Sequence, residues 1–324
     1  MFKPLIEYIQ TSPPVEWTRS ALEKIILPGF EGLNLLFVIR FFFHGLGNGA
    51  LALRASAISF QLIMAFFPTV ILLFSLIPYI SDDFQILLLN YLSDIIPNRA
   101  YAVFEGAIVD LIQNKRTGIL SVTFLLVFYY SSRSVSSILS AFGQSVNLVN
   151  RQGAFIQFFI SLLIMLVLAI LVITALSLVT ASGWVADYLD SLEIIDDGIQ
   201  TAFFYLTNYA IVLLLFMMAI SILYNVGNPD DKGWKVFSAG TTLASLLMIL
   251  IALGFATYVN DFTSFDELYG YVGSVIGSII IFCLWIYFNS IVLLIGFELN
   301  ASISRARKAH SEVKESLVEK HSKL

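Results

Sequence analysis

The sequence predicts an all-α fold: a polytopic membrane helical bundle of six transmembrane helices, with an N-terminal interfacial elbow helix and amphipathic helices in the first outer loop. Three observations predict it. The 324 residues are 58% hydrophobic and 13% charged with a mean hydropathy of +0.85, too apolar for a soluble domain of this size. Six apolar segments reach or approach the roughly 20 residues a helix needs to cross a hydrocarbon core of about 30 Å. The loops between them alternate in charge.

The first 32 residues hold Glu7, Glu16, Glu23 and the Pro13-Pro14 pair but no apolar core of signal-peptide length. No cleaved leader is expected, so the first span serves as its own insertion signal. Leu33 to Phe43 is apolar apart from Asn34 and Arg40, and Gly45, Gly47 and Gly49 follow. That run is about half the length of a span, so an elbow helix in the membrane interface is expected in place of a seventh crossing.

The spans are expected near Ala55 to Ile80, Gly118 to Phe142, Ala154 to Ser182, Thr201 to Tyr224, Val236 to Val259 and Tyr271 to Ala301. Between the first two, Phe84, Leu87, Leu88, Tyr91, Leu92, Ile95 and Ile96 recur at helical spacing. Past Pro97 the pattern resumes with Tyr101, Phe104, Ile108, Leu111 and Ile112. Two amphipathic helices, lying on the membrane or capping the bundle, fit that periodicity. The chain thus divides into an N-terminal segment (1–32), a membrane domain (33–302) and a mixed-charge tail (303–324).

Basic residues set the sidedness. One side carries Lys3, Arg19, Lys24, Arg40 and Arg54, then Arg151, Lys232 and Lys235, and the tail from Arg305 to Lys323. The other has only Arg99, Lys115 and Arg116, beside Asp187, Asp190, Glu193, Asp196, Asp197, Asp261, Asp266 and Glu267. Both termini are therefore expected in the cytoplasm.

Function has to be sought in polar residues that a bilayer would otherwise exclude. Arg133 lies within the second span, where an arginine must face the bundle interior or water, or snorkel to the headgroups. Arg133, Ser136, Ser137, Ser140 and Gln144 share one helical face, continued by Tyr129 and Tyr130. The stripe reads either as a wet pathway lining or as small residues that let helices pack. On the first span Arg54, Ile58, Gln61, Ala65 and Pro68 share a face, and Pro68 cannot donate to the carbonyl of Met64. A kink near mid-membrane is expected, as a packing feature or a gate. Glu298, near the end of the last span, is a natural counter-ion for Arg133 or Arg54, in a static pair or a switch. Gly273 and Gly277 at the start of that span suit close helix packing or dimerisation.

Several functions find no support. The single cysteine, Cys283, cannot form an intrachain disulfide or a thiolate cluster. No phosphate-binding Gly-rich loop ending in Lys-Ser or Lys-Thr occurs. The three histidines, His44, His310 and His321, lie in the elbow and the tail, which gives a metal-dependent nuclease no ligand cluster. A formal net charge of −5 speaks against a broad nucleic-acid surface. No cofactor, catalytic residue or metal site is expected.

The segment Arg54-Ala-Ser-Ala-Ile-Ser-Phe-Gln-Leu-Ile-Met-Ala-Phe-Phe-Pro68 resembles the first-span signature of the bacterial YihY/BrkB family. Tyr269-Gly-Tyr-Val-Gly-Ser-Val-Ile-Gly-Ser278, Leu284-Trp-Ile-Tyr287 and Gly296-Phe-Glu-Leu-Asn-Ala301 resemble its last, in the same order and spacing. Ser131-Ser-Arg-Ser134 and Pro229 also sit where that family has similar features. The resemblance covers roughly residues 35 to 302. It departs at Ser238-Ala239, where a proline is expected nearby, and at Asn289-Ser290, which make the last span more polar than usual. It implies an inner-membrane protein of six spans with an elbow helix, an unsettled activity and links to serum resistance and envelope lipid handling. Members have carried a ribonuclease BN label, which the residues above do not support.

The expected function is transport or flipping of a lipid or amphipathic envelope molecule, with Arg54, Arg133 and the serine stripe meeting an anionic headgroup. A non-transporting structural or regulatory envelope protein is the alternative. Expected partners are membrane lipids and an amphipathic envelope substrate, with a homo-oligomer as the alternative use of the Gly273/Gly277 face and no nucleic acid.

Overall fold

The computed structural model describes residues 50–95, 98–145, 153–190, 197–228, 233–262 and 265–322, together with residues 34, 38, 39, 42 and 43. Among the described residues every regular element is helical: α1 (Leu51–Leu76), a 3-10 turn (Ile77–Tyr79), α2 (Asp82–Ile95), α3 (Asn98–Gln113), α4 (Thr117–Ser145), α5 (Ala154–Asp190), α6 (Asp197–Gly227), α7 (Ala239–Phe262) and α8 (Phe265–Ser322). Six of them contain stretches long and apolar enough to cross a membrane: Leu51–Tyr79, Thr117–Ser145, Phe155–Val179, Leu206–Gly227, Ala239–Tyr258 and Ile279–Ala309. All six match expected spans. Segment length and apolarity were enough to find them.

The six spans close into a ring in the order α1, α8, α7, α6, α5, α4, and α4 also meets α6 and α8 across the middle. Consecutive spans run antiparallel. The end of the bundle holding Arg54 and Arg305 is called the basic end below.

Two places position the site. At the centre, Phe142 of α4 stacks on Phe297 of α8 with ring centroids 4.0 Å apart, and Tyr224 of α6 meets both rings edge-on. The Tyr224 hydroxyl donates to the carbonyl of Leu293 over 2.7 Å, so its polar tip is satisfied inside an apolar cluster. At the start of α7, Ser238 caps the helix by accepting from the Thr241 N–H at 3.1 Å. Asn300 of α8 holds that cap, its amide oxygen accepting from the Gly240 N–H and its amide nitrogen donating to the Ser238 hydroxyl, both at 2.8 Å.

The two helices expected between the first and second spans are present. Ile108 and Ile112 of α3 form a small buried cluster with Ile77 in the 3-10 turn after α1, and Leu88, Leu89 and Leu92 of α2 pack against it. The opposite face of α2 leaves Phe84, Leu87 and Tyr91 exposed. Of the elbow, Val38 is buried against Leu299, Ile303 and Ala306; most of the segment lies outside the described residues.

The tail is not a separate element. No glycine or proline follows Gly296, and the good helix formers that take over carry α8 unbroken past residue 302 to Ser322.

A buried arginine–glutamate–arginine network and an outward polar stripe

Arg54 stands in the first turn of α1 and is 4% exposed. It points at the C-terminal end of α4, where the last carbonyls of a helix have no intrahelical donor. One guanidinium nitrogen, Nη1, donates to the Ala141 carbonyl at 3.0 Å and also to the Ser145 hydroxyl. Arg305 of α8 approaches the same helix end from the other side: its Nη1 donates to the Ser145 carbonyl at 2.8 Å. Two cations thus sit at the negative pole of the α4 dipole, the favourable end for positive charge.

Glu298 lies between them and is 1% exposed. Its Oε1 accepts from Arg305 Nη2, which also donates to the Ser302 hydroxyl at 3.0 Å. Its Oε2 stands 4.0 Å from Arg54 Nη2, too far for a hydrogen bond. Among the described residues, Arg54 Nε and Nη2 and Glu298 Oε2 have no hydrogen-bond partner. The Arg54–Glu298 contact is therefore an ion pair without a hydrogen bond, while that between Glu298 and Arg305 is fully made.

Arg133 is elsewhere. It is exposed on the outer face of α4, with no hydrogen bond or ion pair among the described residues. Tyr129 above it is 51% exposed, Gln144 below it is exposed, and Ser136, Ser137 and Ser140 are half-buried. The depth follows from Ser134, whose hydroxyl donates to the Gln61 carbonyl of α1 at 2.8 Å. At 1.5 Å rise per residue, the step from Arg54 to Gln61 places Arg133 about 10 Å further into the span than the buried network. Gln157 of α5 flanks the stripe, donating to the Ser140 hydroxyl at 2.8 Å.

The residues expected on polar faces are thus sorted into two places. Glu298 partners Arg54 and Arg305; the pairing with Arg133 considered from the sequence is not made. Gln61 enters through its main-chain oxygen. Pro68 is half-buried within an α1 that continues to Leu76, and the Thr69 hydroxyl donates to the Ala65 carbonyl at 2.7 Å. Among the described residues a Cβ on Gly277 would meet nothing within 4 Å; the surroundings of Gly273 lie outside the described residues. The close approach falls instead on Gly240 and Gly296, where an added Cβ on either residue would overlap the other's carbonyl.

Sequence reasoning missed Arg305, Ser302 and Ser145. The signal for the first two was present: Glu298, Ser302 and Arg305 stand at i, i+4 and i+7, one face of a single helix. Counting Arg305 with a separate tail hid it. It also missed Asn225, which reads the backbone of the loop after α6: its Nδ2 donates to the Lys235 carbonyl at 2.9 Å and its Oδ1 accepts from the Lys235 N–H at 3.0 Å.

Comparison with known proteins places this architecture. A "Putative ribonuclease-like protein" of Bacillus subtilis (strain 168) is 19% identical over 267 residues, 80% of this chain and 92% of the relative. A "UPF0761 membrane protein" of Aliivibrio salmonicida is 30% identical over 130 residues, 40% of each chain. Another of Pseudoalteromonas translucida is 35% identical over 88 residues, 27% of this chain and 28% of the relative. The chain therefore matches well under half the length of these UPF0761 relatives. No solved structure matches it. The family model described as "Virulence factor BrkB" matches residues 42–319, a stretch holding the six spans, the buried network and the outward stripe. The chain is a multi-pass membrane protein and belongs to the virulence factor BrkB family.

Proposed function

We propose that the protein moves a lipid or amphipathic envelope molecule across the inner membrane, with the anionic headgroup travelling along the outer face of α4 while its chains stay in the bilayer. The observation that carries this reading is Arg133, a charged side chain exposed at mid-span on a surface that otherwise faces hydrocarbon. Such a residue is costly in lipid unless it meets water or a counter-ion, and it marks pathways more often than packing. Tyr129, Ser136, Ser137, Ser140 and Gln144 continue the polar track over about 20 Å of rise, most of the way from mid-membrane to the basic end. That end is the cytoplasmic one in this reading, as the loop charges require.

Arg54 and Glu298 take a different part. They tie spans one and six to the end of α4, hold the track helix in place and do not touch the headgroup. The test is translocation of labelled anionic and zwitterionic lipids in proteoliposomes. Headgroup-selective movement that Arg133→Ala abolishes supports the reading, and movement unchanged in that variant sinks it.

The buried network favours a second reading, a non-transporting structural or regulatory envelope protein whose polar groups only hold helices together. It predicts no translocation by the folded wild-type protein. Among the described residues no three His, Cys, Asp or Glu side chains converge.

A further inference from the structure

A cavity of about 650 Å³ lies between α1, α6, α7 and α8, on the other side of α1 from the polar stripe. Phe66, Phe216, Met248, Ala252, Trp285 and Asn289 line it. Its depth is fixed by two contacts between antiparallel α1 and α8: the Ser59 hydroxyl donates to that of Ser290 at 3.1 Å, and the Phe66 and Phe282 rings stand 4.5 Å apart. The cavity therefore opens beside Asn289, about 8 Å further into the span than Arg54, and runs about 15 Å toward Thr69 at the helical rise per residue.

Three features decide what it can hold. Among the described residues no charged side chain lines it, so a phosphate finds no counter-ion among them. Phe66, Phe216 and Trp285 are 42%, 38% and 37% exposed, so its walls are continuous with the lipid-facing surface of the spans. At this depth the surrounding solvent is hydrocarbon, and an unfilled apolar space would forfeit dispersion contacts with its lining. The volume lies within the roughly 300–1,000 Å³ of built ligand sites. One polar group marks its basic end. Asn289 Nδ2 donates to the Trp285 carbonyl at 2.8 Å, while Oδ1 accepts no hydrogen bond among the described residues and a second N–H remains. This asparagine is one of the two residues that make the last span unusually polar.

We infer that the cavity is a binding site for a single hydrocarbon chain that enters sideways from the bilayer, with a hydroxyl or ester oxygen of the same molecule meeting the Asn289 amide. A glycerolipid acyl chain and the isoprenoid chain of a polyprenol share this chemistry. The site needs no translocation to be occupied, so its failure and the failure of the headgroup track are separable.

The test reconstitutes the full chain in phosphatidylethanolamine–phosphatidylglycerol vesicles. In parallel arms these contain a trace of phosphatidylethanolamine with a diazirine in one acyl chain, a diazirine-bearing polyprenol, or a plain diazirine hydrocarbon. After irradiation, labelled peptides are mapped. Labelling at Met248 to Ala252 and Phe282 to Asn289 is expected several-fold above that on the lipid-facing stretch Leu163 to Ile173 of α5. Ala252→Trp, which fills the cavity, is expected to abolish the excess and leave the α5 labelling. The milder Ala252→Leu is expected to halve it or more, and serves if the tryptophan variant does not fold. Asn289→Leu is expected to lower labelling by the polyprenol and keep that by the plain hydrocarbon. Excess from the acyl or the polyprenol arm alone identifies the source. Even labelling of both regions, or an excess untouched by either Ala252 variant, overturns the site.

Discussion

Gly240 and Gly296 face each other across the contact of α7 with α8 so closely that neither can carry a side chain: a Cβ on Gly240 would overlap the Gly296 carbonyl, and one on Gly296 the Gly240 carbonyl, the Tyr224 hydroxyl and Ala244. Small residues let helix backbones approach in membranes, where no hydrophobic force draws helices together. Here that approach also brings Asn300 onto the α7 cap and sets Glu298, two residues beyond Gly296, at the level of Arg54.

Gly240→Ala and Gly296→Ala are each expected to destabilise the protein by about 1–3 kcal/mol, the range for overpacking a filled site. Thermal unfolding in detergent checks this. Gly277→Ala, whose methyl would meet nothing within 4 Å among the described residues, is expected to leave the midpoint unchanged.

Glu298→Ala leaves Arg54 and Arg305 facing each other with no carboxylate between. Breaking a buried pair by removing one partner costs about 3–5 kcal/mol, so this variant is expected to be the least stable of the network. Arg305→Ala should cost less, because the Arg305 side chain is 32% exposed and its loss still leaves Glu298 beside Arg54. The double variant Arg54→Leu/Glu298→Leu is expected to be more stable than the sum of the singles, since removing both charges removes the unpaired one. Equal additive losses would show that the 4.0 Å pair carries no coupling.

What the sequence disclosed follows the physics of each feature. Spans depend on the length and polarity of local segments, so all six could be read directly. Arg54 and Glu298 were legible because a charge inside an apolar run needs a partner, although the sequence left Arg133 and Arg54 both open as the partner of Glu298. Arg305 was not, because a residue near a helix end reads as solvated until the helix is known to continue. The spacing of Gly273 and Gly277 was more conspicuous than the single Gly296, yet a small residue matters only where another helix crosses, and the crossing partner is set by the tertiary fold.

Asp110, at the end of α3, has its carboxyl held below the ordinary aspartate value, first by the hydrogen bond from Arg116 Nη2 at 2.7 Å and then by that from the Asn114 amide at 2.8 Å. A lowered folded-state value means that the contact stabilises above the unfolded aspartate value and is lost as pH falls through the folded one. Arg116→Ala is expected to raise the Asp110 titration toward the ordinary value of about 3.9, read by carboxyl NMR. The effect on the unfolding midpoint should be small and salt-sensitive, because both side chains are exposed.

The role proposed for Arg133 separates stability from activity. Its side chain makes no bond to the described protein and stands outward at mid-span, where insertion of an arginine costs about 2.5–3.5 kcal/mol on translocon scales. Arg133→Leu is therefore expected to keep or raise the unfolding midpoint, whereas Arg54→Leu, which strips the caps from Ala141 and Ser145 and leaves Glu298 with Arg305 alone, should lower it. In proteoliposomes the order should reverse. Arg133→Leu is expected to abolish headgroup-selective translocation, and Arg133→Lys to retain part of it, since lysine keeps the charge and loses the bidentate fork that fits a phosphate. Arg133→Glu, with the sign inverted, should reject anionic lipids more strongly than Arg133→Leu does. A midpoint that falls in Arg133→Leu as far as in Arg54→Leu would mean that Arg133 holds the bundle together, and the outward stripe would then be packing.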